Sequence, residues 1–158
     1  MGVYLDTSFL IPLLLEHRNT RHAQEIFADL WVPLYISPSV IDETIYIGCR
    51  LILRYQYITT TSQMKVYILK NGYSFAELFF AGLLDLSLDL TNVPDCTDIV
   101  HILKNARTFH LLAGDAIILS TCQNHHIRTI ATFDSDFLRA PGITLVPDPA
   151  QGKKSSMN

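Results

Sequence analysis

A chain of 158 residues, 49% hydrophobic and 17% charged, is long enough for one domain with a real core and too apolar for a disordered segment. Its formal charge of −3 argues against a broad basic surface for nucleic acid, although acids gathered in one cleft would give the same sign. Three scattered cysteines, Cys49, Cys96 and Cys122, exclude a disulfide framework or a zinc site and read as reduced, buried thiols. The longest apolar run, Phe9 to Leu15, has seven residues including a proline, far short of a membrane span. With Asp6 interrupting the start, no signal peptide is expected, and the chain reads as a soluble cytoplasmic protein.

Val3-Tyr4-Leu5 is an apolar run suited to a strand buried on both faces, and Asp6-Thr7-Ser8 ends it. A short helix follows from Phe9 to Glu16, with Pro12 in its first turn. Asn19 or Thr20 can cap a second helix, Arg21 to Leu30, before the short strand Leu34-Tyr35-Ile36. Ser37-Pro38 is a helix start, and the helix runs to about Arg54 with Glu43 in its second turn. Two further helices, Gln63 to Lys70 and a capping-box helix from Ser74 to about Leu84, make a hairpin at 61–85 inserted between the second and third strands. Leu88-Asp89-Leu90 is a strand, and Pro94-Asp95 opens a helix to about Arg107. A helix from Asp115 to about Asn124 comes next, then the strand Thr129-Ile130-Ala131. One helical turn at 135–139 precedes the last strand, Ile143 to Val146, and residues 151–158 read as a flexible polar tail.

This alternation predicts one α/β domain over 1–150: a three-layer α/β/α sandwich around a parallel sheet of four to five strands. In such a sheet Asp6 and Asp134 end strands, and Glu43 and Asp115 sit in helix starts that meet the same edge. Each acid also has a plain structural reading. Asp6 can cap a helix, Asp115 can complement a helix dipole, Glu43 can lie on an exposed face, and Asp134 and Asp136 can cap the single turn. Taken together, four converging carboxylates repel unless a cation joins them. Oxygen-only ligands suit Mg²⁺ or Mn²⁺, which can activate a water toward a phosphate. Thr7, Ser8 and Thr132 could support the acids or a substrate phosphate, and Arg107 could meet a phosphate or be a solvated helix end. His125-His126 reads as a helix end rather than a metal pair, since adjacent residues point apart.

The ordered set Leu5-Asp6-Thr7-Ser8, Ser39-Val40-Ile41-Asp42-Glu43, Gly114-Asp115-Ala116-Ile117 and Ala131-Thr132-Phe133-Asp134-Ser135-Asp136-Phe137 resembles the PIN domains over nearly the whole chain. That resemblance implies a metal-dependent ribonuclease, often the toxin of a VapBC toxin–antitoxin pair and often a homodimer. By it, Asp6, Glu43, Asp115 and Asp134 are the acidic metal site, with Asp136 a fifth candidate, and the 61–85 hairpin is a clip-like projection that helps dimerise. The implied partners are RNA and an antitoxin protein, with no membrane. Alternatives are an RNA-processing nuclease outside any toxin–antitoxin pair and a catalytically weak module that binds RNA or protein. A phosphatase of haloacid-dehalogenase type is more remote, because it needs a second acid where this chain has Ser8.

Overall fold

The computed structural model describes residues 2–148; the tail expected at 151–158 lies outside them. Five strands form one wholly parallel sheet: β1 (Val3–Leu5), β2 (Leu34–Ile36), β3 (Leu90–Asn92), β4 (Thr129–Ala131) and β5 (Thr144–Val146). Their spatial order is β3-β2-β1-β4-β5. Seven helices connect them: α1 (Thr7–Leu14), α2 (Thr20–Asp29), α3 (Pro38–Arg54), α4 (Thr61–Asn71), α5 (Glu77–Ser87), α6 (Ile99–Phe109) and α7 (Ala113–Asn124). Parallel strands need crossovers, and right-handed crossovers running outward in two directions put helices on both faces. The expected α/β architecture is therefore the one found, with five strands.

β1 is central and buried along its length, with Tyr4 opposite Tyr35 on one side and Ile130 on the other. Phe9, Leu10, Leu119, Ile130 and Phe137 pack with it in the main core. Each such side chain contributes about 1.5–3 kcal/mol relative to exposure. A second, smaller core joins α1 and α3 to the hairpin through Ile11, Leu53, Met64 and Phe79. Gly48 on α3 makes this possible, because the Phe79 ring lies where a Cβ would be. The three cysteines are buried free thiols. Among the described residues no helix is long and apolar enough to cross a membrane.

Several local expectations shift. α1 starts at Thr7, so Pro12 falls in the second turn rather than the first and removes one helical hydrogen bond shortly before the helix ends. The capping box belongs to Thr60 and Gln63, not to Ser74 and Glu77; Ser74–Ala76 is a 3₁₀ turn with no side-chain cap. β3 lies two residues beyond the expected strand, because Leu88 and Asp89 close the end of α5. α6 starts at Ile99, capped by Asp98, and not at Pro94-Asp95. Asp95 instead accepts from the Ser39 backbone N–H and hydroxyl at 2.9 and 2.7 Å, pinning the start of α3.

Candidate active site at the switch point of the sheet

The chain leaves β1 toward β2 and β3 on one side and returns to β4 and β5 on the other. The carboxyl ends of β1 and β4 therefore flank the switch point, the place where open α/β sheets form a crevice. Asp6 follows β1 directly and Thr132 follows β4 directly. α3 brings Glu43 to this edge in its second turn, and α7 brings Asp115 in its first. Asp6, Thr7, Ser8, Glu43, Asp115 and Asp134 line one open cleft of about 540 Å³.

Asp6 is 4% exposed and is both cap and site residue. Its Oδ2 accepts from the Ser8 backbone N–H at 3.2 Å, which starts α1. The same oxygen accepts from the Ser8 hydroxyl at 2.6 Å and the Thr132 hydroxyl at 2.7 Å. Ser8 Oγ in turn accepts from the Phe133 N–H at 2.9 Å, and Thr132 Oγ1 from the Asp134 N–H at 2.9 Å. The two hydroxyls thus tie the β1 and β4 ends together through one carboxylate. Burial pushes the Asp6 carboxyl above its ordinary range, against these hydroxyls, which favour its charged form.

Glu43 is exposed but oriented. The Thr7 hydroxyl donates to its Oε2 at 2.9 Å, and the buried Thr44 hydroxyl donates to Thr7 Oγ1 at 3.5 Å. Asp115, Asp134 and Asp136 each offer a carboxylate oxygen within 4.8 Å of the others. Asp115 is pushed up to about 6, first by burial and then by the charges of Asp134, Asp6, Asp136 and Glu43. The other four acids thus all act on Asp115. The two acids of the last motif differ in surroundings. Asp134 lines the cleft, and its Oδ1 accepts from the Asp136 N–H at 2.8 Å. Asp136 sits beside it with its carboxylate on the Arg139 guanidinium at 2.8 Å. An all-carboxylate set in which burial and then mutual repulsion raise one member fits a hard divalent cation, which would relieve the repulsion.

Arg107 is exposed in the last turn of α6 and is not among the residues lining the cleft. His125 bonds the Pro94 carbonyl, His101 bonds Gln123, and His126 is a left-handed turn residue, so these histidines serve the fold. Three cleft residues were not expected at the site: His17 and Arg18, which carried no sequence signal, and Asn19, which read only as a helix cap, all in the turn between α1 and α2.

The PIN domain family model matches residues 3–143. Ribonuclease VapC6 of Methanocaldococcus jannaschii is 25% identical over 154 residues, covering 93% of this chain and 97% of the relative. The fold recurs in solved structures, of which two serve as examples. VapC20 of Mycobacterium tuberculosis, a Sarcin-Ricin loop cleaving toxin, superposes with a TM-score of 0.59 at 16% identity, covering 88% of this chain and 95% of its own. VapBC2 of Rickettsia felis, solved on a DNA fragment from its promoter, gives 0.57 at 16% identity, covering 92% and 97%. The family match spans both the strand that carries Asp6 and the motif that carries Asp134, the two ends of the chain that meet at the switch point, and it makes this chain a member of the PIN domain family.

Proposed function

We propose that this chain is an Mg²⁺- or Mn²⁺-dependent endoribonuclease and the toxin of a toxin–antitoxin pair. The observation that carries the reading is the meeting of Asp6, Glu43, Asp115 and Asp134 in one cleft, with Asp115 pushed up to about 6 by burial and then by the charges of its neighbours. The relative named Ribonuclease VapC6 and the toxin fold of VapC20 support the activity, and the VapBC2 assembly supports a protein partner.

Asp115, Asp134 and Asp6 would hold the cation, with Asp136 beside them. When bound, the ion supplies charge neutralisation at the phosphate and an activated water for in-line hydrolysis of a phosphodiester. Ser8 and Thr132 fix Asp6 so that the pocket is shaped before ligand arrives. Thr7 aims Glu43, which orients the attacking water or shares the cation. Thr132 keeps the Asp134 backbone in place.

The test is cleavage of single-stranded RNA with Mg²⁺ or Mn²⁺ by the wild type and Asp6→Asn. The expected result is metal-dependent cleavage lost in the variant; equal activity in both removes the mechanism. The toxin assignment is tested in cells. Growth arrest relieved by co-expressing a small neighbouring protein supports it, and a lone gene without arrest favours RNA processing. A partner that neutralises the acids with an Arg or Lys would block Mn²⁺ uptake by the purified complex.

A homodimer is part of the same proposal. Leu69 and Leu78, on the 61–85 hairpin, are 86% and 91% exposed and offer an apolar contact for a second copy. Light scattering of the wild type and a Leu69→Glu/Leu78→Glu variant tests it, with a monomer expected for the variant.

A further inference from the structure

The acidic cleft continues along α3. It shares Ile47 and Leu51 with a cavity of about 400 Å³ that Arg50 and Arg54 also line. It shares His17 and Leu51 with another, of about 570 Å³, that Arg54 and Tyr55 also line. Leu51 lines all three, so the cleft and the two cavities adjoin along one grooved face of α3. Helix geometry explains its line. Glu43, Ile47, Leu51 and Tyr55 recur every fourth residue, one ridge that starts at a cleft acid and runs about 18 Å down α3. Arg50 and Arg54 form the adjacent ridge, and Arg18, on the α1–α2 turn, lines the cleft from which the path leads.

The chemistry changes along this path. Beyond the cleft Glu16 is the one acid among the lining residues, against Arg50, Arg54 and His17. The two ion pairs among the described residues, Arg21–Glu25 and Arg139–Asp136, involve none of Arg18, Arg50 and Arg54. Tyr55 at the far end is 88% exposed, a flat ring with an open face. Arg50 lines the smaller cavity and lies over the Tyr46 ring, 5.7 Å from its centroid. On a chain of net charge −3, a row of arginines that form no ion pair among the described residues, leading out of an acid cluster and ending on an aromatic ring, is selective. A cationic peptide drawn to the acids meets like charge here, whereas a nucleic acid backbone meets its complement and a base finds a stacking surface.

We propose that this groove carries single-stranded RNA away from the cleft, with Arg18, Arg50 and Arg54 on its phosphates and Tyr55 against a base. The proposal rests on the nuclease reading above and assigns the RNA path that reading leaves open.

The experiment is fluorescence anisotropy with a labelled single-stranded RNA, at Ca²⁺ concentrations that give no cleavage, over a series of salt concentrations. Arg50→Ala/Arg54→Ala is expected to weaken binding at least tenfold. It should also flatten the salt dependence by about 1.4 in log K against log [salt], since each phosphate contact on a single strand contributes about 0.7. Tyr55→Ala is expected to weaken binding without changing the salt slope. Arg128→Ala, on an exposed residue ahead of β4 at the opposite edge of the sheet, is expected to bind as wild type. Wild-type affinity and slope in the double variant overturn the groove, also when the same changes weaken a protein complex. If the wild type still cleaves RNA in that case, the nuclease reading stands without it. A wild type that neither binds nor cleaves RNA overturns both.

Discussion

The Thr132 hydroxyl donates to Asp6 Oδ2 at 2.7 Å across 126 positions of sequence, and the Ser8 hydroxyl reaches the same oxygen at 2.6 Å. A buried carboxylate loses water on folding, and these hydroxyls replace part of that hydration. Thr132→Val or Ser8→Ala leaves Asp6 under-satisfied and should cost about 1–3 kcal/mol each in urea unfolding. RNA cleavage should fall about 10–100-fold as Asp6 loses its fixed orientation. Unchanged unfolding midpoints in both variants would contradict the role given to this pair.

Asp115 links stability to pH. Its folded-state value, about 6, lies above the ordinary carboxylate value, so the native protein binds this proton more tightly than the unfolded chain does. The stabilisation is therefore fully present below about pH 4 and is lost as pH rises through about 6. Asp115→Asn removes the repelling charge. In metal-free buffer it should be more stable than wild type at pH 7.5, by about 1–2 kcal/mol after allowing for solvent screening. That advantage should vanish near pH 4, while RNA cleavage is abolished. Mg²⁺ or Mn²⁺ should stabilise the wild type and not the variant, a difference that paired thermal melts would read.

Thr7 aims Glu43 and is itself held by Thr44. Thr7→Val keeps the shape and removes the donor. Cleavage should drop about 10-fold or more, while the fold, read by circular dichroism, is retained. A variant as active as wild type would place Glu43 outside the machinery.

Gly48 is where the hairpin seats. A Cβ there would meet three ring carbons of Phe79 within 2.7 Å. Gly48→Ala should destabilise by about 1–3 kcal/mol through overpacking, with cleavage per folded molecule unchanged. Phe79→Leu on that background should recover part of the loss.

The sheet and the acids were legible because their signals are local. A short apolar run ending in Asp, a serine–proline helix start and an alternating strand before Thr132 each fix an element and the edge it serves. The misplaced parts depended on partners far along the chain. Ser74-Phe75-Ala76-Glu77 has the capping pattern, but Ala76 is buried in the hairpin core and the turn tightens to 3₁₀. Asp95 stands beside a proline in what looks like a helix start, yet Ser39, 56 positions earlier, claims its carboxylate. His17, Arg18 and Asn19 belong to no motif; they face the cleft only because α1 and α2 meet beside it. Arg107 had a motif-like position near Asp115, and helix rotation leaves it exposed off the cleft.

The strand order has a bearing on synthesis. β1 emerges from the ribosome first, yet its neighbour β4 begins at residue 129, and Asp6 waits for Thr132. A nascent polypeptide missing those late segments has neither the clamp on its first acid nor the fourth carboxylate. On the proposed function, a fragment that stops short of β4 lacks the assembled acid site and is expected not to cleave RNA.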